Sequence, residues 1–187
     1  MRIGVDLDGC CYDYTGAVMR YLASIGQPRP FPESSEWGWY VAWGMTDEEF
    51  WSHANAGVEA GIIYAGPFFD GAADALRDLH DAGHELHFKT ARWTGDGSRA
   101  EELTLDCLAE NEIPYDSLTF GHDKTAGPEC DLFVEDNVGN YDALEEVGVE
   151  PWLITQPYNL DQPGGKVRRR VSSLVEFADM VLERVAA

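Results

Sequence analysis

The sequence predicts an α/β fold: a mostly parallel central sheet with helices on both faces, and a small helical segment inserted after the first strand. Three observations carry this reading. Short apolar runs alternate with longer stretches whose apolar residues recur at helical spacing. Several of the runs close on acidic or hydroxyl residues, where parallel strands meet loops. Residues 28–67 break the alternation with a dense set of aromatic side chains. At 187 residues and 44% apolar composition the chain suits one domain with a modest insertion and a real core.

The elements follow in order. Residues 2–7 (RIGVDL) are an apolar run ending in acids and Gly9, as a buried strand meeting a loop does. Residues from about 14 to 25 read as a helix with Val18, Leu22 and Ile25 on one face, stopped by Gly26, Pro28, Pro30 and Pro32. The insertion carries Trp37, Trp39, Tyr40, Trp43, Phe50, Trp51 and Tyr64, and Thr46 with Glu49 forms a capping box for a helix of roughly 47–57. Residues 70–82 are helical, with Ala72, Ala75, Leu76 and Leu79 on one side and Gly83 as the stop. A strand at 85–90 (ELHFKT) follows, then a helix from Ser98, paired with Glu101 as its cap, to about 110. Strands at 117–120, 131–134 and 151–155 are separated by a short helix at 140–147. Ser173 and Glu176 cap a last helix whose stripe is Leu174, Phe177, Val181 and Val185.

Composition excludes several functions. Acids outnumber bases 34 to 13, a formal charge of −21, which repels polynucleotides. No stretch approaches the roughly 20 apolar residues of a membrane span, and acids interrupt MRIGVDLDG before a signal-peptide run develops, so a cytoplasmic protein is expected. Cys10, Cys11, Cys107 and Cys130 fit neither a zinc site nor a disulfide framework and are expected to be reduced and buried. His53, His80, His84, His87 and His122 show no metal-ligand pattern, and His84 and His87 read as structural. The basic run Lys166, Arg168, Arg169 and Arg170 reads as a solvated loop or a set of local ion pairs.

Four pieces fall where strands end: Asp6-Leu7-Asp8-Gly9, Thr90, Lys124 in GHDKT, and Glu135-Asp136 closing DLFVED. Each alone has an ordinary structural explanation as a cap, turn or solvated residue. Together they suit phosphoryl chemistry. Carboxylates at strand ends make a hard oxygen site of the kind Mg²⁺ takes. One carboxylate can attack phosphorus and a second can protonate the leaving oxygen. A lysine and a hydroxyl offset the phosphate charge. Arg92, two residues past Thr90, is open between a phosphate contact and a structural role.

This set, in this order, resembles the four motifs of the haloacid dehalogenase-like hydrolases. The GHDKT and VEDN segments and Gln156-Pro157-Tyr158-Asn159, followed by arginines and a terminal helix, are similar to the 5′(3′)-deoxyribonucleotidases. The insertion also falls where that family has a helical cap; Glu135 departs from its usual pair of aspartates. The resemblance implies a Rossmann-like three-layer sandwich, with a core of about 1–27 and 68–187 and a cap of about 28–67. It implies Asp6 as nucleophile, Asp8 as acid and then base, and Mg²⁺ held by Asp6, the Asp8 carbonyl and Asp136, with Glu135 beside it. Thr90, Lys124 and the Ala91 backbone N–H would bind phosphoryl oxygens. Trp39, Tyr40, Trp43 and Tyr64 are the candidates for a base pocket. The implied substrate is a small phosphate ester, foremost a deoxynucleoside monophosphate, with no polynucleotide or membrane partner; a homodimer is a state that this family often forms. Two other readings stay open: a sugar-phosphate phosphatase or phosphomutase, which Glu135 next to Asp136 keeps in play, and a non-catalytic binding protein with the same fold.

Overall fold

The computed structural model of the chain describes residues 1–92, 97–160 and 165–186, the side chains of 185 and 186 excepted, so that Val185 lies outside the described residues. Six strands form one sheet: β1 (Arg2–Val5), β2 (Glu85–Thr90), β3 (Ser117–Phe120), β4 (Leu132–Glu135), β5 (Glu150–Ile154) and β6 (Arg170–Val171). Their order is β3-β2-β1-β4-β5-β6, and every neighbouring pair is parallel. The chain leaves β1 toward β2 on one side and reaches β4 on the other, so the strand order reverses at β1. Ligands of open parallel sheets bind beyond the carboxyl ends at such a point.

The helices are α1 (Tyr14–Ser24), α2 (Asp47–Glu59), α3 (Ala72–Asp81), α4 (Ser98–Glu110), α5 (Val138–Glu146) and α6 (Leu174–Ala186). Strand side chains alternate between the two faces of the sheet. Ile3, Val5, Leu86, Phe88, Leu132 and Val134 enter the main core, to which α1, α3, α4 and α6 contribute. Phe133 joins Cys130 and Leu144 of α5 in a second, smaller cluster. Gly4 is needed between these layers: a Cβ there would lie 2.1 Å from Phe133 Cδ2. The result is the expected α/β sandwich.

Local chemistry explains most boundaries. Asp13 caps α1 by accepting from Gly16 N–H at 2.8 Å. Thr46 and Glu49 form the full capping box of α2. Between α1 and α3 the chain makes a 3₁₀ turn at Trp39–Trp43 and then α2, which packs on α1 and α4. Trp39, Phe50, Ala54 and Val58 from this segment are continuous with the main core.

Some expectations shift. β1 ends at Val5, because the carbonyl of Leu7 is taken by a tight turn that receives the N–H groups of Cys10, Cys11 and Tyr12. The N-cap of α4 is Gly97, not Ser98. β6 was not legible, being two residues long and basic; Val171 gives it one buried side chain. Of the basic run, Lys166 and Arg168 pair with Asp142, and Lys166 and Arg169 with Glu145, so α5 neutralises them locally. The cysteines are all free and buried. His87 binds Ser117 Oγ at 2.8 Å, a structural role. Among the described residues no helix is long and apolar enough to cross a membrane.

Candidate active site

Val5, the last residue of β1, lies opposite both Phe88 and Val134, so β2 runs on to Thr90 and β4 to Glu135 beside the turn that follows β1. Asp6 extends β1 by one bond, its N–H donating to Val134 O at 3.1 Å. The turn after it brings Asp8 to the same opening. Gly9 makes that turn with φ +79°, and a Cβ there would lie 2.0 Å from Asp136 Oδ2, so no other residue fits. Asp6, Asp8, Lys124, Glu135 and Asp136 all line one cavity of about 580 Å³.

Asp6 is paired with Lys124, Nζ to Oδ1 at 2.6 Å. Lys124 also donates to Lys89 O at 2.6 Å, and buried Lys89 returns a bond to Lys124 O at 3.1 Å. These reciprocal bonds tie the loop after β3 to the end of β2. Burial pushes the Asp6 carboxyl up, and Lys124 opposes the shift. Burial works against the Lys124 charge, but Asp6 and Glu135 outweigh it and carry its pKa to about 12.

Behind this pair lies an acidic cluster. Glu135 Oε1 accepts from the N–H groups of Asp136 and Asn137 at 3.2 and 3.0 Å. Asp136 Oδ2 accepts from the Tyr158 hydroxyl at 2.5 Å. Glu135 Oε2 and Asp136 Oδ1 are buried with no hydrogen-bond partner among the described residues. Burial and the charge of Asp6 push Glu135 up to about 7; burial, Glu135 and Asp6 push Asp136 well above the usual carboxylate range. Donor atoms of Asp6, Cys10 and Asp136 lie within 4.8 Å of one another. Two orphaned, buried carboxylate oxygens beside a third carboxylate fit a hard divalent cation.

The Gln156-Pro157-Tyr158-Asn159 segment supports this cluster from the end of β5. Gln156 Nε2 donates to Gly9 O at 2.7 Å, fixing the turn that carries Asp8. Asn159 Nδ2 donates to Asp136 O and Ile154 O, both at 2.8 Å. Arg170 donates to Asn159 Oδ1 at 3.0 Å and to its carbonyl at 2.6 Å. The sequence marked this segment through a resemblance; its contacts show what it does physically.

Arg92 resolves toward Asp8. Its Nε lies 3.1 Å from both Asp8 oxygens, Nη2 lies 2.8 Å from Oδ1, and Nη1 donates to Thr104 Oγ1 at 3.3 Å. Thr90, at the end of β2, is fully buried; its Oγ1 accepts from Arg92 N–H at 3.3 Å, and it does not itself line the cavity. Ala91 does line it.

Of the aromatic candidates, Trp39, Tyr40 and Tyr64 line the cavity and Trp43 does not. Trp43 turns its N–H to Pro30 O at 2.9 Å and packs edge-on against Trp39. Tyr40 stacks on Phe50 with ring centroids 4.0 Å apart. Sequence reasoning missed Trp37, Trp51, Phe31 and His122, which also line the cavity. For the two tryptophans the available signal was their place in the aromatic-rich insertion.

No protein-family model matches the chain. It is 32% identical over 154 residues to a Chlorobaculum tepidum protein named "Putative 5′(3′)-deoxyribonucleotidase", spanning 79% of this chain and 75% of that one. In fold it is similar to a haloacid dehalogenase-like family hydrolase from Streptococcus pneumoniae, at TM-score 0.59 and 16% identity over 96% of this chain and 97% of that one. It is also similar to D,D-heptose 1,7-bisphosphate phosphatase from B. bronchiseptica, solved with magnesium and phosphate, at TM-score 0.55 and 17% identity over 98% and 99% of the two chains. The sequence relationship makes this protein a phosphatase acting on phosphate esters, and its acidic cluster is suited to a divalent metal. The chain belongs to the 5′(3′)-deoxyribonucleotidase family of haloacid dehalogenase-like hydrolases.

Proposed function

We propose that the protein is a Mg²⁺-dependent phosphomonoesterase that hydrolyses deoxynucleoside monophosphates through an aspartyl-phosphate on Asp6. One observation carries the reading: a single cavity is lined both by Asp6, Asp8 and the acidic cluster and by Trp37, Trp39, Tyr40 and Tyr64. A phosphate ester with a flat, stackable leaving group matches both parts. Residues 28–67 act as the cap over this cavity, and residues 1–27 and 68–187 as the core.

Asp6 attacks phosphorus, and the bond from phosphorus to the ester oxygen breaks as Asp8 gives that oxygen a proton. In the second step Asp8 takes a proton from water, whose oxygen displaces Asp6 and releases inorganic phosphate. Lys124 and the Ala91 N–H hold phosphoryl oxygens, and buried Thr90 fixes the backbone beneath them by accepting from the Arg92 N–H. Mg²⁺ would be held by Asp6, the Asp8 carbonyl and Asp136, and supplies positive charge that offsets the phosphoryl oxygens. Glu135 fixes the backbone around Asp136 through the two N–H groups it accepts from.

The test is phosphate release from a panel of nucleoside 5′- and 3′-monophosphates and sugar phosphates, with Mg²⁺, with EDTA, and with Asp6→Asn. Mg²⁺-dependent turnover of deoxynucleotides, lost in the variant, is expected. Turnover confined to sugar phosphates would overturn the nucleotide assignment and keep the chemistry. An Asp6→Asn variant as active as the parent would overturn the mechanism.

A further inference from the structure

Arg92 is the largest fully buried side chain in the described residues, and three of its hydrogen bonds go to Asp8. Its guanidinium meets both oxygens of that carboxylate in a fork. Its two faces are covered by the rings of Tyr12 and Tyr64, with Cζ 4.7 and 4.5 Å from their centroids. Its far edge is anchored to Thr104 of α4, whose own hydroxyl donates to Ala100 O at 2.7 Å. Tyr64 reaches this position with φ +68°, a conformation that costs a residue with a bulky side chain about 1–3 kcal/mol and persists where the surroundings demand it. The cation is thereby fixed in direction, face and depth before any substrate arrives.

We propose that Arg92 is a positioning residue for Asp8: it holds the carboxyl at the ester oxygen and takes up the negative charge that appears there when the proton leaves. The proposal rests on the reading of Asp8 as proton donor in the first step. In that step the ester O–P bond breaks, the Asp6–phosphorus bond forms, and the proton of Asp8 passes to the departing oxygen. The charge then sits on Asp8, 2.8–3.1 Å from the Arg92 nitrogens. A fixed cation aimed at developing charge needs no reorganisation during the reaction. An ester whose leaving group departs without a proton gains nothing from this arrangement.

That asymmetry is the test. The full-length, Mg²⁺-loaded protein in excess is mixed rapidly with a deoxynucleoside 5′-monophosphate or with p-nitrophenyl phosphate. Release of the alcohol in the first turnover is timed for the parent, Arg92→Met, Arg92→Lys and Thr104→Val. General acid assistance is typically worth about 10²–10⁴-fold, so Arg92→Met is expected to slow nucleoside release ~100-fold and p-nitrophenol release less than ~3-fold. Arg92→Lys, with the charge but not the fork, should fall between parent and Met. Thr104→Val leaves the charge in place and should show the same asymmetry in weaker form; it serves if Arg92→Met fails to fold. Equal losses on both esters, or a rise in KM on both with rates unchanged, would overturn the proposal. A parent protein that releases neither alcohol would instead overturn the phosphatase reading of Asp6 and Asp8.

Discussion

Replacing Tyr158 with Phe tests whether the segment after β5 supports the proposed metal site. The ring stays, packed edge-on against Trp37 at 5.3 Å, and only the hydroxyl that donates to Asp136 Oδ2 is lost. Asp136 is 2% exposed, so water does not replace that bond easily. Losing a partner that orients a metal-binding carboxylate typically costs about 10- to 100-fold in metal affinity. In a thermal melt, a cation at 100 times its Kd adds about 2.7 kcal/mol to stability. A tenfold weaker site at the same concentration adds ~1.4 kcal/mol. For a chain of this size the Mg²⁺-induced rise in Tm should therefore be roughly 3–5 °C smaller in Tyr158→Phe than in the parent. The melt reads binding without activity, and a Mg²⁺ titration of turnover gives the second measure. An unchanged Tm rise and an unchanged half-saturating Mg²⁺ concentration would refute the reasoning. A lower kcat at unchanged Mg²⁺ affinity would show that Tyr158 acts on something other than Asp136.

Two further outcomes follow from the geometry. Trp37 lines the cavity and is 55% exposed, free to stack on a base; Trp37→Ala should raise KM for deoxynucleoside monophosphates by about 5- to 150-fold, from roughly 1–3 kcal/mol per stacked base, and leave KM for p-nitrophenyl phosphate unchanged. Asp142 is held at about 2 by hydrogen bonds from Arg168 and Lys166. A depressed folded-state pKa contributes stability that is present above the unfolded value near 3.8 and is lost as pH falls through about 2. The urea midpoint of the parent should fall more steeply than that of Asp142→Asn between those values, and parallel curves would show that the pair is screened by solvent.

What the sequence disclosed about the site depended on how local each signal is. Asp6 and Asp8 are legible because an apolar run, two acids and Gly9 are adjacent in the chain, and the fold uses them as written: strand, turn, and a glycine pressed against Asp136. Lys124 and Glu135-Asp136 are legible for the same reason, since each sits next to a strand end that the apolar pattern marks. Arg92 and Tyr158 were harder. Arg92 meets an acid 84 positions away, and its direction is set by Tyr12, Tyr64 and Thr104 from three separate segments. No periodicity encodes such a stack. The 3₁₀ turn Pro157–Asn159 sends the Tyr158 hydroxyl back to Asp136, and only the tertiary arrangement shows it. Trp43 fails as a pocket residue because a nearby carbonyl takes its N–H. Composition counts aromatic rings but does not say which way they face. In the fold, the misjudged pieces are short or marginal: β6 has two residues, and the cap of α4 falls to Gly97, one position before the serine that matched the pattern.

The charge balance at the cavity connects these parts. The whole chain carries −21, and a phosphate ester is itself an anion. At the site Asp6, Asp8, Glu135 and Asp136 face Lys124 and Arg92, but Lys124 is already paired with Asp6 and Arg92 with Asp8. Lys89 spends its ammonium on the Lys124 carbonyl. Lys124 and Arg92 therefore hold the Asp6 and Asp8 carboxylates in place and leave little free charge for the substrate. A unit charge 4 Å from another in partly screened protein interacts by roughly 4 kcal/mol, so a phosphoryl group next to Glu135 and Asp136 would be held off strongly. Burial raises the pKa of both acids, which lessens the repulsion yet still leaves Asp136 Oδ1 and Glu135 Oε2 without partners among the described residues. The proposed Mg²⁺ answers both difficulties at once, satisfying an orphaned oxygen and reversing the local sign. Within this reading the acidic cluster is a site that accepts a phosphate ester only after a divalent cation, and the acidity of the chain helps to draw that cation in.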